Sequence, residues 1–241
     1  MTVVIMQPTY LPWIGYFDLM DNADAFVLLD TVQFEKQAWQ QRNRIKVSEN
    51  TSKWLTVPVV QDLGQLIRNV NIEVSNPWRR KHWGSIEQYY RHAPYWKLYS
   101  EGLAEIYAQP WDSLYKLNFT LINYLKDQLG IATRLVQASD IPVTGEKVNL
   151  LVNICHNLKA DVYLSPVRAA EYIGEGNIFA DEGITLQYHQ YTHPVYPQLF
   201  GEFLPHMSVI DLLFNQGPKS LEIIRSGRLK RNEPSIPQGV L

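Results

Sequence analysis

Basic side chains are concentrated in one short stretch, "QFEKQAWQQRNRIK", at residues 33–46. Its cations include Lys36, Arg42 and Arg44. Guanidinium groups neutralise phosphate oxygens in pairs and an ammonium adds a point charge, so this set suits a triphosphate or a diphosphate-linked sugar. We assign these three residues a catalytic role in neutralising phosphate, and Asn43 a contact with substrate. A solvated basic loop is the alternative interpretation, and the amides among the cations favour a site.

The stretch "QPTYLPWIGYF" at residues 7–17 is a second candidate. It follows the apolar run at 2–6 and precedes a helix expected from Ile14, so it lies at the carboxyl end of a first strand, where α/β sheets bind ligands. Gly15 would let a ligand or a neighbouring backbone approach closely, and the aromatic side chains can stack on a nucleotide or donate to it. The nucleotide-binding residues assigned here are Gln7, Tyr10, Trp13 and Gly15, and Tyr16 is assigned a catalytic role.

A third candidate is "YLSPVRAAEYI" at residues 163–173. Ser165 can donate to a phosphate at the end of a strand, and the N–H groups of the following helix can point at the same anion. Arg168 can then clamp that anion, and both residues are assigned to nucleotide binding. A Ser-Pro helix entry with a surface arginine is the alternative interpretation.

Several other polar residues are candidates for substrate contacts. Asp30, at the end of the second strand, suits Mg²⁺ or a substrate amine, and a helix cap is the alternative. His189 and His193 are four residues apart, which would place two metal ligands on one helix face, but their segment has the pattern of a strand. We therefore expect no metal site, and assign His193 and Gln198 to a substrate pocket. Hydrogen bonding within a proline-stiffened loop would also explain them.

Apolar runs separated by turn signals predict the elements that position these residues. Strands are expected at 2–6, 25–29, 54–60, 133–139, 161–165 and 184–191. Helices are expected at 14–20, 77–92, 95–108, 111–128, 146–158 and 208–215. The alternation predicts an α/β fold, a parallel sheet of about five strands with flanking helices. We expect one domain at 1–227 with a helical insertion at about 75–130, and a flexible tail at 228–241.

Composition narrows the class of partner. The net charge of −2 gives no electrostatic case for nucleic acid or an anionic membrane as the main partner. No apolar run approaches the roughly 20 residues that a membrane-spanning helix needs. Cys155 has no second cysteine to pair with, and the N-terminus lacks the pattern of a secretion signal, so we expect a cytoplasmic protein.

Two resemblances become visible at these motifs. The segment "LPWIGYF" is similar to the P-x-H-x-G-H signature of the nucleotidylyltransferase and pantothenate synthetase superfamily, with Trp13 and Tyr16 in place of the two histidines. A longer likeness covers most of residues 1–227. The segments "MQPTYLPWIGYFDLMDNADAFVLLDTVQFEKQAWQQRNRIK", "VYLSPVRAAEYI" and "YTHPVYPQLFGEFLPHMSVIDLLFNQG" resemble the WbqC-like family, whose members occur among bacterial polysaccharide and O-antigen biosynthesis genes.

These resemblances imply a Rossmann-like fold of the nucleotidylyltransferase type, with ATP phosphates at the first turn. In pantothenate synthetases a Gln-Phe pair after the second strand binds an acid substrate, and Gln33 matches that glutamine. The implied function is ATP-dependent transfer of an acyl or aminoacyl group, such as glycine, to the amine of a sugar, with ATP and Mg²⁺ as cofactors. The alternatives are an ATP-independent transferase that acts on a nucleotide-sugar, and a non-catalytic nucleotide-binding protein. The oligomeric state is left open.

Overall fold

The computed structural model describes residues 1–173 and 177–229. The strands are β1 (Thr2–Met6), β2 (Ala25–Leu28), β3 (Arg42–Ser48), β4 (Thr51–Thr56), β5 (Val59–Val60), β6 (Asn71–Ile72), β7 (Arg134–Gln137), β8 (Val162–Pro166) and β9 (Thr185–His189). The helices are α1 (Ile14–Asp21), α2 (Trp78–Tyr90), α3 (Trp96–Ala108), α4 (Leu114–Leu129), α5 (Lys147–Asn157), α6 (Ala170–Ile173), α7 (Asn177–Asp181), α8 (Val209–Gln216) and α9 (Ser220–Ser226). Of the predicted tail, residues 230–241 lie outside the described residues.

A five-stranded sheet with the order β7-β2-β1-β8-β9 forms the centre of the fold, and every neighbouring pair in it is parallel. This confirms the predicted α/β fold with a parallel sheet and flanking helices. From β1 the chain builds outward through β2 to β7, and then returns to the other side of β1 for β8 and β9. The order therefore reverses between β1 and β8, which is where open α/β sheets form a ligand crevice at the carboxyl ends of their strands.

The sheet separates two hydrophobic cores because successive side chains of a strand point to opposite faces. Val4 and Leu164 belong to a core with α1, the helices α2 to α4, and α8. Val3 and Tyr163 belong to a second core with α5. Cys155 lies in this second core, and burial raises the pKa of its thiol to about 12. Strands covered on both faces explain why β1 and β2 are continuous apolar runs in the sequence.

Two antiparallel ribbons lie outside the central sheet: the basic ribbon of residues 42–56, and a short ribbon of residues 59–60 with 71–72. β3 pairs with β4, with Arg44 opposite Trp54, and β5 pairs with β6. Along β3 the buried Asn43 alternates with the half-buried Arg42 and Arg44, which is the period of a strand with one covered face. The strand expected in 54–60, with its end at Pro58, corresponds to β4, which begins earlier, at Thr51, and ends at Thr56; Val59 and Val60 form the separate β5. Pro58, between the two strands, has no N–H to donate to a ladder.

Residues 75–130, all of which the structure describes, contain the three predicted helices α2, α3 and α4 and no strand. The Ser113 side chain accepts from the Lys116 N–H at the start of α4, and Gly130 ends that helix with a left-handed φ of 75°. Glycine adopts that conformation without the steric cost of a side chain. Within the described ranges, no helix is both long enough and apolar enough to cross a membrane.

A buried histidine joins this helical segment to the first turn. His82 Nδ1 lies 2.9 Å from the Tyr10 hydroxyl, which also hydrogen-bonds the Tyr107 hydroxyl. Burial lowers the pKa of His82 to about 4. A hydrogen bond to the Thr56 backbone raises this pKa, but by less than burial lowers it. His82 is therefore neutral at pH 7, accepting from Tyr10 and bonding to Thr56, so Tyr10 is fixed inside the core.

This pKa predicts a dependence of stability on pH. In the unfolded chain His82 takes up a proton near pH 6.5, but in the folded chain only near pH 4, so acidification between those values favours unfolding. Between pH 7 and pH 4.5 we expect the free energy of unfolding to fall by about 2 kcal/mol more in the wild type than in His82→Gln. Urea unfolding of both proteins measures this, since the other titrating groups are common to both. Equal losses would contradict a neutral, buried His82.

Candidate functional site

The carboxyl edge of the sheet collects buried polar atoms that lack partners. Four such side-chain atoms occur in the described part of the chain: Asp30 Oδ2, Thr31 Oγ1, Asn118 Oδ1 and Ser165 Oγ. Asp30 and Thr31 follow β2, Ser165 is the penultimate residue of β8, and Asn118 donates to the Pro8 carbonyl beside the end of β1. An unpaired buried polar atom costs about 1–3 kcal/mol. Their concentration at one edge indicates a site that a ligand completes.

A chain of amide side chains lines this edge. Gln40 Nε2 donates to Gln7 Oε1 at 2.7 Å, and Gln40 Oε1 accepts from the Glu35 N–H at 2.9 Å. Asn118 Nδ2 donates to the Gln40 carbonyl at 2.7 Å and more weakly to the Pro8 carbonyl at 3.4 Å. Gln7 is thus at the predicted place, while Gln40 and Asn118 were missed. Gln40 could have been identified from the sequence, because it lies among the amides of the basic stretch. Asn118 could not, because it is far from that stretch in the sequence and no local pattern marks it.

Two tyrosine hydroxyls lie near the same edge. The Tyr16 hydroxyl donates to the Gln7 carbonyl at 3.3 Å, and the Tyr115 hydroxyl donates to Gln137 Oε1 at 2.8 Å. Burial raises the pKa of Tyr16 well above its ordinary value, and burial together with the Asp30 carboxylate raises that of Tyr115. Both phenols therefore stay protonated near neutral pH, and Tyr16 can donate a hydrogen bond but not act as a base.

Asp30 is buried with one carboxylate oxygen occupied and one free. Its Oδ1 accepts from the Ser139 N–H at 2.9 Å, while Oδ2 has no partner among the described residues. In residues 1–173 and 177–229, no group of three or more His, Cys, Asp or Glu side chains could hold a metal ion. A cation at Asp30 would therefore need ligand or water oxygens to complete its coordination.

Trp13 forms the centre of an aromatic cluster at the start of α1. Its ring stacks on His193 at a centroid distance of 5.9 Å, and it meets the rings of Tyr191 and His206 edge-on at 5.9 Å and 5.4 Å. The indole covers Gly15, so the close approach predicted at this glycine is made by Trp13. Two imidazoles from distant parts of the chain thus lie beside Trp13.

Arg44 adds a positive charge to this aromatic cluster. Its Nε donates to the His206 carbonyl at 3.3 Å. Burial lowers the pKa of His206, and the positive charge of Arg44 lowers it further. Burial also lowers the pKa of His193; a hydrogen bond to the Pro194 carbonyl opposes this shift, and the neighbouring His206 adds to it. Both imidazoles are held in their neutral forms by this environment. An anion bound there would favour protonation of the two imidazoles, because its negative charge would offset the repulsion between Arg44 and a protonated histidine.

The first turn and the basic stretch are in direct contact. Asn43 Nδ2 donates to the Leu11 carbonyl at 2.7 Å, and the Tyr10 N–H donates to the Trp39 carbonyl at 2.9 Å. Leu11 is fully buried and has a φ of 45°, a left-handed conformation that is costly for leucine. Asn43, assigned to substrate, therefore supports the turn that carries the predicted nucleotide-binding residues.

The other assigned residues are either exposed or already bonded within the protein. Gln33, Lys36 and Arg168 are exposed, and the ion pairs of the described residues include neither cation. The guanidinium of Arg42 lies 4.6 Å from the centre of the Trp54 ring. Gln198 donates to Asp211 Oδ1 at 2.9 Å and to the Leu204 carbonyl at 3.1 Å, and it accepts from the Leu204 N–H at 2.8 Å.

His189 has a partner that the sequence did not suggest. Its Nε2 lies 2.6 Å from Oδ2 of Asp18, a fully buried residue of α1, and Arg228 Nε donates to Oδ1 of the same carboxylate at 2.6 Å. Arg225 also makes two hydrogen bonds to Asp21, each of 2.8 Å. These contacts attach the end of β9 and the last described segment to α1, and with it to the first turn.

Gly15 provides a test of this packing. A methyl group at Gly15 would overlap the Trp13 indole, so Gly15→Ala should displace that ring and lower the free energy of unfolding by about 1–3 kcal/mol. Gly84, inside α2 with open space around it, is the matched control, and Gly84→Ala should stabilise the protein by about 0.5–1 kcal/mol. Urea unfolding gives both values, and tryptophan fluorescence should change only in the Gly15 variant. A Gly15→Ala protein as stable as wild type would mean that the indole is not packed on Gly15.

Comparison with known proteins places the chain in a family. Residues 7–223 match the model of the WbqC-like protein family. The chain is also similar to a protein of Mycobacterium tuberculosis named "Uncharacterized protein Rv1507c", at 36% identity over 228 residues, covering 92% of this chain and 97% of that protein. No solved structure matches it. The match over most of the chain, including the first turn, the basic ribbon and the Ser165 strand, shows that this protein belongs to the WbqC-like family.

Proposed function

We propose that this protein attaches a small acyl or aminoacyl group, with glycine as the leading candidate, to the amine of an amino sugar. ATP bound at the carboxyl edge of the sheet would first activate the acid as an adenylate. The observation that carries the proposal is the group of unpartnered polar atoms at the ends of β1, β2 and β8, beside the reversal of strand order. The sugar acceptor rests on the resemblance to proteins of polysaccharide gene clusters.

The chemistry of the four unpartnered atoms suits a ligand with both phosphate and amino groups. Ser165 and Thr31 offer hydroxyls, which can donate to phosphate oxygens. Asp30 and Asn118 offer oxygens that only accept, and these suit an ammonium or sugar hydroxyls. An aminoacyl substrate beside a nucleotide contains both kinds of partner. Because these atoms are covered, binding would require small side-chain movements, such as one rotation at Ser165.

The proposed reaction needs no nucleophile from the protein. A carboxylate oxygen of the acid attacks the α-phosphorus of ATP, and pyrophosphate leaves. The amine nitrogen of the acceptor then attacks the acyl carbon, AMP leaves with the bridging oxygen, and the nitrogen loses a proton as the amide forms. The protein's contribution is positioning and hydrogen bonds to developing negative charge, to which Tyr16 and Ser165 can donate.

Magnesium would accompany ATP in this scheme. Asp30 has one free carboxylate oxygen, and Mg²⁺ is commonly held by one or two carboxylates together with substrate phosphates and water. Use of ATP would place the reaction in the cytoplasm.

An ATP-independent transfer from an already activated donor is a second candidate. Arg42 and Arg44 make no ion pair with any residue in the described ranges, so they can neutralise a diphosphate whether or not ATP is consumed. Incubation with ATP, glycine and a panel of amino sugars, assayed for AMP and pyrophosphate, separates the two reactions. Amide product without AMP would establish the second candidate. Nucleotide binding without product from any donor would identify a non-catalytic binding protein.

Ser165→Ala tests the nucleotide position. The hydroxyl has no partner, so its removal should leave the free energy of unfolding within about 0.5 kcal/mol of wild type or raise it slightly. Loss of one hydrogen bond to phosphate should weaken ATP binding about tenfold. Isothermal titration with ATP and urea unfolding measure the two quantities.

Ser48→Ala, an exposed serine at the end of β3, is the matched control and should bind ATP as wild type does. Thr31→Val removes the unpartnered hydroxyl that follows β2, and it should likewise weaken ATP binding about tenfold without loss of stability. Unchanged ATP affinity in both site variants would place the nucleotide elsewhere on the protein.

A further inference from the structure

Two exposed tryptophans contact each other at the basic ribbon: Trp54 belongs to β4, and Trp39 lies in the loop just before β3. Trp39 and Trp54 keep 45% and 43% of their surface accessible, whereas the other five tryptophans of the chain are buried or half-buried. Their ring centres are 5.4 Å apart and the ring planes are inclined by 43°. The backbone of Trp39 is held to the first turn by the hydrogen bond from the Tyr10 N–H. Two fixed, exposed indoles at an angle provide two separate surfaces on which a ring can stack.

Two guanidinium groups lie beside the Trp54 indole without a counter-charge. Arg42 and Arg44 lie 4.6 Å and 5.9 Å from the centre of the Trp54 ring, on one face of the ribbon. Neither forms an ion pair with any residue in the described ranges. Arg44 uses Nε for the His206 carbonyl, which leaves its two terminal nitrogens for another acceptor. Two planar forks beside each other suit a pair of linked phosphates.

We propose that Trp39, Trp54, Arg42 and Arg44 form a binding surface for a nucleoside diphosphate linked to a sugar. The diphosphate lies between the two arginines, and the base and the sugar ring each stack on an indole. A ligand with a ring on both sides of a diphosphate matches this arrangement better than a mononucleotide, which has one ring. The net charge of −2, and a surface that offers only the two arginines Arg42 and Arg44 beside its indoles, argue against a long polyanion such as RNA.

This surface would bind the acceptor of the proposed transfer. That role rests on the proposed function, but binding itself does not, since it needs neither ATP nor turnover. The surface adjoins the turn that leads into the carboxyl edge of the sheet, through the contacts of Tyr10 with Trp39 and of Leu11 with Asn43. An acceptor held there would lie next to the turn whose other residues, Gln7 and Tyr16, reach that edge.

Isothermal titration of the full chain with UDP-N-acetylglucosamine, UDP, UMP and inorganic pyrophosphate tests the inference at low salt. We expect UDP-N-acetylglucosamine to bind at least about tenfold more tightly than UMP, through the second phosphate and the second ring. Trp39→Ala and Arg42→Gln should each weaken its binding about tenfold, and Trp39→Phe should recover most of that loss. Arg80→Gln and Leu98→Ala, exposed residues of α2 and α3, are the matched controls and should bind as wild type does.

Three results would overturn the inference. Equal affinity of wild type and Trp39→Ala for UDP-N-acetylglucosamine would exclude stacking at this surface. Tighter binding of a single-stranded oligonucleotide that depends on the same residues would identify a different occupant. Self-association of the wild type that Trp39→Ala abolishes, without binding of the sugar nucleotide, would assign the surface to a second copy of the chain.

The same samples separate this inference from the proposed function. Release of AMP from ATP without binding of UDP-N-acetylglucosamine would leave the proposed function standing and reject this surface. Binding that depends on Trp39, without any AMP, would support the surface and reject ATP-dependent transfer. The unfolding temperature of each variant is the control. A variant that unfolds at the same temperature as the wild type has lost binding without losing its fold.

Discussion

The hydrogen bond from Asn43 to the Leu11 carbonyl is the contact on which the arrangement of the candidate site depends. Leu11 has a left-handed backbone that costs roughly 1–2 kcal/mol, so the turn keeps this shape only because its surroundings fix it. Residues before Leu11 lead to Gln7 at the sheet edge, and residues after it lead to Trp13 and the start of α1. Asn43 belongs to the ribbon, so this buried bond ties the ribbon to the turn at the sheet edge, together with the bonds from Tyr10 to Trp39 and from Gln40 to Gln7.

Charge is divided between two neighbouring surfaces. Amides, hydroxyls and one carboxylate line the carboxyl edge of the sheet, whereas the guanidinium groups of Arg42 and Arg44 lie on the ribbon. A single basic pocket was the expectation from the sequence, with arginines replacing the histidines of the superfamily signature. The structure instead brings His193 and His206 beside Trp13, with Arg44 next to them. The indole of Trp13 is thus packed among imidazoles from elsewhere in the chain.

The sequence predicted the central sheet well because its strands are apolar on both faces. β1, β2 and β8 are recognisable from composition alone, and their shared carboxyl edge placed Gln7, Asp30 and Ser165 correctly at one side. β3 was missed because alternating basic and amide residues have the composition of a loop. The partners of buried polar groups were the least predictable. Tyr10 bonds to His82, and Asn118 to Gln40, across separations of 72 and 78 residues that leave no local pattern.

The strand order has a consequence for how the chain folds during synthesis. β2 ends at Leu28, but its outer neighbour β7 begins only at Arg134, and the other neighbour of β1 begins at Val162. At about 5–20 residues per second, a ribosome needs roughly 5–20 s to make the intervening segment. For that time β1 and β2, which are apolar on both faces, have each other but lack their outer neighbours β8 and β7, which is a state prone to aggregation. The long helical segment thus delays closure of the sheet, and chaperones that shield the emerging N-terminal strands would have most effect in that interval.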